Sequence, residues 1–152
     1  MFSNKKEQIR FAKFALVGIS GTFIDFFFLN LFIQRFGIAQ NTAKAFSFSI
    51  AVFNNFLWNR LWTYPESREL PFFRQFSQYL IVSIVGLLIN ISIFAITNQS
   101  LIHALNGFLP NNFPFSSSVV SYNISAAIAT IVVLFWNYFA NRFWTFRSIS
   151  LK

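Results

Sequence analysis

Two short stretches carry the residue types best suited to an anionic ligand. They are Asn59-Arg60-Leu61-Trp62-Thr63-Tyr64 and Asn141-Arg142-Phe143-Trp144-Thr145-Phe146. Each has a further asparagine four residues upstream, Asn55 and Asn137. A guanidinium holds two oxygens of a phosphate as a fork, and neighbouring amides fill the remaining acceptor sites. Twinned Asn and Arg donors at one depth therefore suit a phosphate or other anionic headgroup. Taken singly, each residue has a plainer explanation. An arginine at a helix C-terminus is favoured by the macrodipole, and Trp58, Trp62 and Trp144 suit the aromatic belt at a membrane surface. Neither explanation calls for an asparagine beside each arginine. Asp25 is the other candidate, the one acid inside a long apolar stretch. An ionised carboxylate near a membrane centre costs ~2.5 to 3.5 kcal/mol on insertion scales, so it is a functional hypothesis by default. Lys44 is its nearest partner by depth. An ion pair holding two helices together is the plain reading. A polar cavity in which Asp25 accepts sugar hydroxyls or exchanges a proton is the sharper one. Asn90, at the matching place in the second half, can bond the same hydroxyls without charge.

The matching is general, because the chain is an internal duplication. Phe11 to Asp25 aligns with Phe76 to Asn90, so Gly21 falls on Gly86, while Asn55 to Tyr64 aligns with Asn137 to Phe146. The first offset is 65 residues and the second 82, which leaves about 17 extra residues in the second half. These are expected as a loop over 98 to 118, containing Pro110, Pro114 and Ser116-Ser117-Ser118. A repeat fixes architecture before any other feature does. Here the unit is a helical hairpin used twice, repeat 1 over about 9–64 and repeat 2 over about 74–147, in a single integral membrane domain spanning 1–152.

Composition sets the class. A chain that is 55% hydrophobic and 11% charged, with mean hydropathy +0.54, cannot hide that much apolar surface in a 152-residue globule. The fold class expected is an all-α membrane protein with four transmembrane helices, arranged as two duplicated hairpins in parallel orientation. The four windows are Phe11 to Ile33, Ala43 to Trp62, Phe76 to Thr97 and Val119 to Trp144, each long enough for ~30 Å of hydrocarbon. The second is the weakest by hydropathy, since Lys44, Ser47, Ser49, Asn54, Asn55 and Asn59 interrupt it; its likeness to the fourth supports it. An even number of crossings per repeat gives both halves the same orientation, related by an axis along the membrane normal. Small and polar residues mark the faces expected to turn inward: Gly18, Gly21, Thr22 and Asp25 on the first helix, and Ser83, Gly86 and Asn90 on the third. On the second they are Ser47, Ala51, Asn55, Asn59 and Trp62, matched on the fourth by Ala126, Thr130, Val133, Asn137, Asn141 and Trp144.

Of the 12 Lys and Arg, all but Arg35 and Lys44 lie at the termini or in the central loop. The positive-inside rule then puts both ends and the 63 to 75 loop in the cytoplasm. The net charge of +8 reads as topogenic and as attraction to anionic membrane lipids; no soluble basic domain exists to hold a nucleic acid. With no cysteine there is no disulfide framework or thiol-ligated metal. His103, the lone histidine, falls in the expected extra loop without an acid nearby, so no catalytic residue, cofactor or metal site is read from the sequence.

The Phe14-to-Gly18 opening, the acid at Asp25, and the Asn-Arg-x-Trp-Thr-aromatic endings at Asn59 to Tyr64 and Asn141 to Phe146 resemble the GtrA-like family of four-helix membrane proteins. The likeness covers about residues 9 to 147. Asn90 in place of an acid and Lys44 at the entry to the second helix depart from the pattern. The resemblance implies a non-enzymatic role in cell-surface polysaccharide synthesis at the bacterial cytoplasmic membrane. Such a protein would translocate a polyprenyl-phosphate-linked sugar that a membrane glycosyltransferase then uses. On that reading Arg60, Arg142, Asn59, Asn141, Asn55, Asn137, Trp62 and Trp144 hold the phosphate or headgroup, and Asp25, Asn90 and Lys44 form the sugar or proton site. A homodimer seam near the Gly18 and Gly86 faces would widen a path that four helices leave narrow. Two other classes fit the same residues: a non-transporting subunit that docks or stabilises the glycosyltransferase, and a small proton-coupled drug exporter. The repeated arginines disfavour the exporter by repelling cationic cargo.

Overall fold

Many of the polar side chains along the helices of this chain are tied to helix backbone. Ser20, Asn30, Ser49, Ser77, Ser92, Thr97, Ser100 and Asn123 each bond a carbonyl three or four residues back. Apolar runs punctuated by such self-satisfied residues form long helices. The computed structural model describes residues 5–108 and 116–147. Four α-helices follow in order: α1 (Lys5–Phe36), α2 (Gln40–Trp58), α3 (Phe72–Phe108) and α4 (Ser117–Ala140). A 3-10 segment, Pro65–Glu69, lies between α2 and α3. No strand occurs among the described residues. Three helical stretches are long and apolar enough to cross a membrane: Lys5–Phe36, Phe72–Phe108 and Ser117–Thr145. The chain is an all-α, multi-pass membrane protein. The α2 helix falls outside that set, because Lys44, Ser47, Ser49, Asn54 and Asn55 lower its hydropathy.

Two compact units divide the chain: Met1–Leu80 with Asn141–Lys152, and Ile81–Ala140. In the first, α1 ends where Gly37 takes a left-handed φ of +62°, a conformation glycine adopts without the strain of a Cβ. The chain then reverses over three residues into α2. Ala43, Ser47 and Ala51 line the buried stripe of α2 at four-residue spacing, with Phe14, Val17 and Gly21 buried on α1. Gly21 is there to admit Asn55: a Cβ would fall onto the Asn55 amide. By contrast Gly18 has open space around it.

The second unit repeats one of these devices. A Cβ on Gly86 would lie 2.8 Å from Asn137 Oδ1, so the Gly–Asn contact of the first hairpin recurs in the second. Trp136 Nε1 donates to Val82 O at 3.2 Å, and the Ser121 hydroxyl lies 2.8 Å from Asn98 Oδ1. Two expectations need correction here. The buried stripe of α4 is Ser121, Ser125 and Ala129, while Ala126 and Thr130 are exposed. Serine and alanine at four-residue steps give the flat face that close packing needs. Nor do residues 98 to 108 form a loop: α3 runs on to Phe108 and carries the exposed His103. The polar Thr97 and Ser100 close onto helix carbonyls instead of breaking the helix, and no proline occurs between Pro71 and Pro110. Its 37 residues give a length of about 55 Å at ~1.5 Å per residue, well beyond a bilayer core. Pro110 and Pro114 lie outside the described residues.

Candidate functional site

Both Asn-Arg-x-Trp-Thr stretches leave the α-helix and wind as π-helix, π1 over Asn59–Thr63 and π2 over Asn141–Thr145. The mark is the same in each: Tyr64 N donates to Asn59 O at 2.8 Å, and Phe146 N to Asn141 O at 2.8 Å. Single-turn π segments are rare and gather at functional sites. The extra residue per turn turns the asparagine, the threonine and the closing ring inward and the tryptophan outward. Asn59, Asn141, Tyr64 and Phe146 are all buried to about 1% exposure or less, while Trp62 and Trp144 are exposed. The two closing rings stack, Tyr64 on Phe146, with centroids 4.5 Å apart and planes 20° off parallel. The duplicated motifs therefore end at one place in the first unit. Asn59 Nδ2 lies 3.3 Å from Tyr79 Oη, and Thr145 Oγ1 lies 2.9 Å from Asn141 Oδ1.

The two arginines sit at that junction, each engaged by the protein itself. Arg60 is buried; its Nη2 donates to the carbonyls of Arg68 at 2.7 Å and Leu70 at 2.9 Å, and its guanidinium lies over the Phe72 ring. Its Nη1 is buried with no hydrogen-bond partner, as are Asn59 Oδ1, Thr63 Oγ1 and Asn55 Oδ1. Arg142 forms a fork onto Glu7, Nε to Oε2 at 3.1 Å and Nη2 to Oε1 at 3.2 Å. Glu7 also accepts from Arg10 at 2.6 Å, and Arg10 reaches Glu66 at 2.8 Å, which Lys6 approaches to 3.5 Å. Burial pushes the Glu66 carboxyl up, but its backbone hydrogen bond together with Arg10 and Lys6 outweighs that and holds it below the usual carboxylate value. The sequence pointed to both arginines and missed this acid–base network. Glu7 at the start of α1 and Glu66 in the central loop were the signal, being two of only four acids in the chain.

A cleft of about 470 Å³ opens beside π2, bounded by Leu70, Pro71 and the first turns of α3 on one side and by Trp144, Thr145 and Arg147 on the other. Arg74, Gln75 and Gln78 line it. Gln75 is 1% exposed, donates to Thr145 O at 3.3 Å, and has its Oε1 buried without a partner. Sequence reasoning counted Arg74 and Arg147 only as topogenic charge. Nothing in either residue type distinguishes them until the fold brings residue 74 beside residue 147.

Away from this junction, Asp25 pairs with Lys44 and accepts the Ser47 hydroxyl at 2.6 Å, joining α1 to α2. The Asp25 carboxylate is largely covered and the Lys44 ammonium is about half exposed. Asn90 is half-buried on α3 in the second unit. No group of three or more His, Cys, Asp or Glu able to hold a metal occurs among the described residues.

The profile described as the GtrA/DPMS transmembrane domain matches residues 13–146. The chain belongs to that family. A dolichol-phosphate mannosyltransferase of Pyrococcus furiosus is 31% identical over 85 residues, which is 56% of this chain and 24% of that protein. The membrane protein YngA of Bacillus subtilis is 29% identical over 154 residues, covering 99% of this chain and 88% of that protein. The chain thus spans about a quarter of the mannosyltransferase's length and most of YngA's.

Proposed function

We propose that this protein moves a polyprenyl-phosphate-linked monosaccharide from the cytoplasmic to the outer leaflet of the bacterial cytoplasmic membrane, where a membrane glycosyltransferase uses it to decorate a cell-surface polysaccharide. The observation that carries this reading is the meeting of the two π-terminated motifs at the Tyr64–Phe146 stack. It gathers Arg60, Arg142, Arg74 and Arg147 at one end of the first unit. Such an end suits the phosphate of a lipid whose tail stays in the bilayer. The likeness to a dolichol-phosphate mannosyltransferase supports a lipid-phosphate carrier as the ligand class. The positive-inside distribution supports a cytoplasmic location for both termini and for the 63 to 75 loop. No covalent step is required of the chain.

A second reading is favoured by a specific observation. The mannosyltransferase contains a match to this domain within a chain roughly four times as long as the matched part, so such a domain can serve as the membrane portion of an enzyme. On that reading the protein docks or stabilises a separate glycosyltransferase. One experiment tests both: purified protein in proteoliposomes, with a fluorescent or isotopically labelled polyprenyl-phosphate sugar loaded on one leaflet. Transfer above protein-free vesicles supports translocation. No transfer, together with increased activity of a co-reconstituted glycosyltransferase, replaces it with the docking role. The drug-exporter reading is weakened by the Asp25–Lys44 pair, which already neutralises the carboxylate that cationic cargo would need.

A further inference from the structure

The two repeats place different chemistry at equivalent positions around their π segments. In the first, Lys13 donates to Trp62 O at 3.3 Å and lies over the Trp62 ring at 5.2 Å, while Arg10 is tied to Glu7 and Glu66. That side is filled by its own charges. Counting the 65-residue offset, the second repeat has Gln75 where the first has Arg10, and Gln78 where it has Lys13. Trp144 stands where Trp62 does, and Ser148 stands where Glu66 does, so the second repeat has no acid at that place in the sequence. The cations at this second notch are Arg74 and Arg147, both exposed, with no hydrogen bond or ion pair to any described residue. Two guanidinium groups with no partner among the described residues thus flank a concave space of about 470 Å³ that also holds a deeply buried, half-satisfied glutamine. Unmet polar atoms in a concavity are what a ligand with complementary groups satisfies.

We infer that this cleft is a phosphoester-binding site, with Arg74 and Arg147 as the fork donors for the phosphate and the Gln75 and Gln78 amides as partners for hydroxyls on the attached group. The Gln75 Oε1 accepts and cannot serve a phosphate oxygen, so it selects a headgroup that carries hydroxyls next to its phosphate. This deepens the translocation reading and rests on it for the identity of the lipid. Arg60 and Arg142 then act by shaping the junction through Leu70 O and Glu7, and the ligand's charge is met by Arg74 and Arg147.

The test uses the full chain in detergent and farnesyl phosphate as probe, with inorganic phosphate and phosphatidylglycerol as parallel arms, read by native mass spectrometry and by competition. Each of Arg74→Gln and Arg147→Gln should weaken farnesyl phosphate about tenfold, and the pair about a hundredfold, with a melting temperature close to wild type because both side chains are exposed. Arg74→Lys with Arg147→Lys, which keeps charge and loses the fork, should fall between. Arg35→Gln, at the far end of α1, should bind as wild type. Arginine-dependent binding of farnesyl phosphate alone identifies a lipid phosphate as the source; equal, arginine-dependent binding of inorganic phosphate identifies a free phosphate. Unchanged farnesyl phosphate binding in Arg74→Gln/Arg147→Gln overturns the site, whereas arginine-dependent binding of phosphatidylglycerol, whose glycerol hydroxyls lie beside its phosphate, supports it. Failure of the two readings is separable. Transfer in proteoliposomes that survives both substitutions removes the cleft and keeps translocation. Arginine-dependent binding without transfer keeps the cleft and removes translocation.

Discussion

Three glycines in this chain should respond to the same substitution with different signs, which makes them a test of the helix packing described above. Replacing glycine by alanine inside a helix gains about 0.5 to 1 kcal/mol from the reduced freedom of the unfolded chain. Against that stands the cost of crowding, about 1 to 3 kcal/mol for a methyl forced into a packed contact. At Gly18 no atom lies within 4 Å of a new Cβ, so the gain stands alone. At Gly86 the Cβ would lie 2.8 Å from Asn137 Oδ1, 3.2 Å from Nδ2 and 3.3 Å from Cγ, a moderate overlap that leaves the sum near zero. At Gly21 it would overlap all three amide atoms of Asn55, so the upper part of the crowding range applies and the net loss is about 1 to 2 kcal/mol. At roughly 2 to 4 °C per kcal/mol for a chain of this size, Gly18→Ala should raise the melting temperature by a few degrees, Gly86→Ala leave it nearly unchanged, and Gly21→Ala lower it by about 2 to 8 °C. The assay is thermal unfolding of the purified protein in detergent, followed by intrinsic tryptophan fluorescence. Adding Asn55→Ala should recover most of the loss in Gly21→Ala, because the Asn55 Oδ1 has no hydrogen bond to forfeit. A double variant that is merely additive to within about 0.5 kcal/mol, or any other order of the three glycines, would refute the reasoning.

Two further outcomes concern the charged junction. Glu7→Gln should cost about 3 kcal/mol, the low end for breaking a covered ion pair, because Arg10 keeps Glu66 while Arg142 loses its fork; chemical denaturation in detergent should show this loss, and Glu7→Gln with Arg142→Met should be less destabilised than Glu7→Gln alone. For Glu66 the folded value lies below the ordinary 4.5, so its contribution is present above that value and disappears as pH falls through the folded one. Melting curves from pH 6 downward should therefore fall less steeply below 4.5 in Glu66→Gln than in the wild type, and identical slopes would remove Glu66 from the acid response.

The sequence alone determined the class, the duplication and the family. Hydropathy and repeat spacing are carried by every residue of a helix, so they survive without knowledge of contacts. Pairing Gly21 with Gly86 and Asn55 with Asn137 was likewise legible, because a repeated helix must repeat the notch that admits its neighbour. Charge at a stated depth was enough to suggest Lys44 as the partner of Asp25, since side chains on adjoining helices meet only at matching heights. Other features depended on the tertiary structure. The π winding at Asn59 and Asn141 uses residues equally at home in an α-helix, and it depends on where Tyr64 and Phe146 can stack. The helical period placed Asn59 and Asn141 inward correctly but put Trp62 and Trp144 on the same stripe, and it is the tryptophans that the structure turns outward. Glu7 met Arg142, and Arg74 and Arg147 came to line one cleft, across long stretches of sequence. Local residue order sets what a helix is made of; which distant charges neutralise each other, and which stay exposed, is decided by how the helix ends come together.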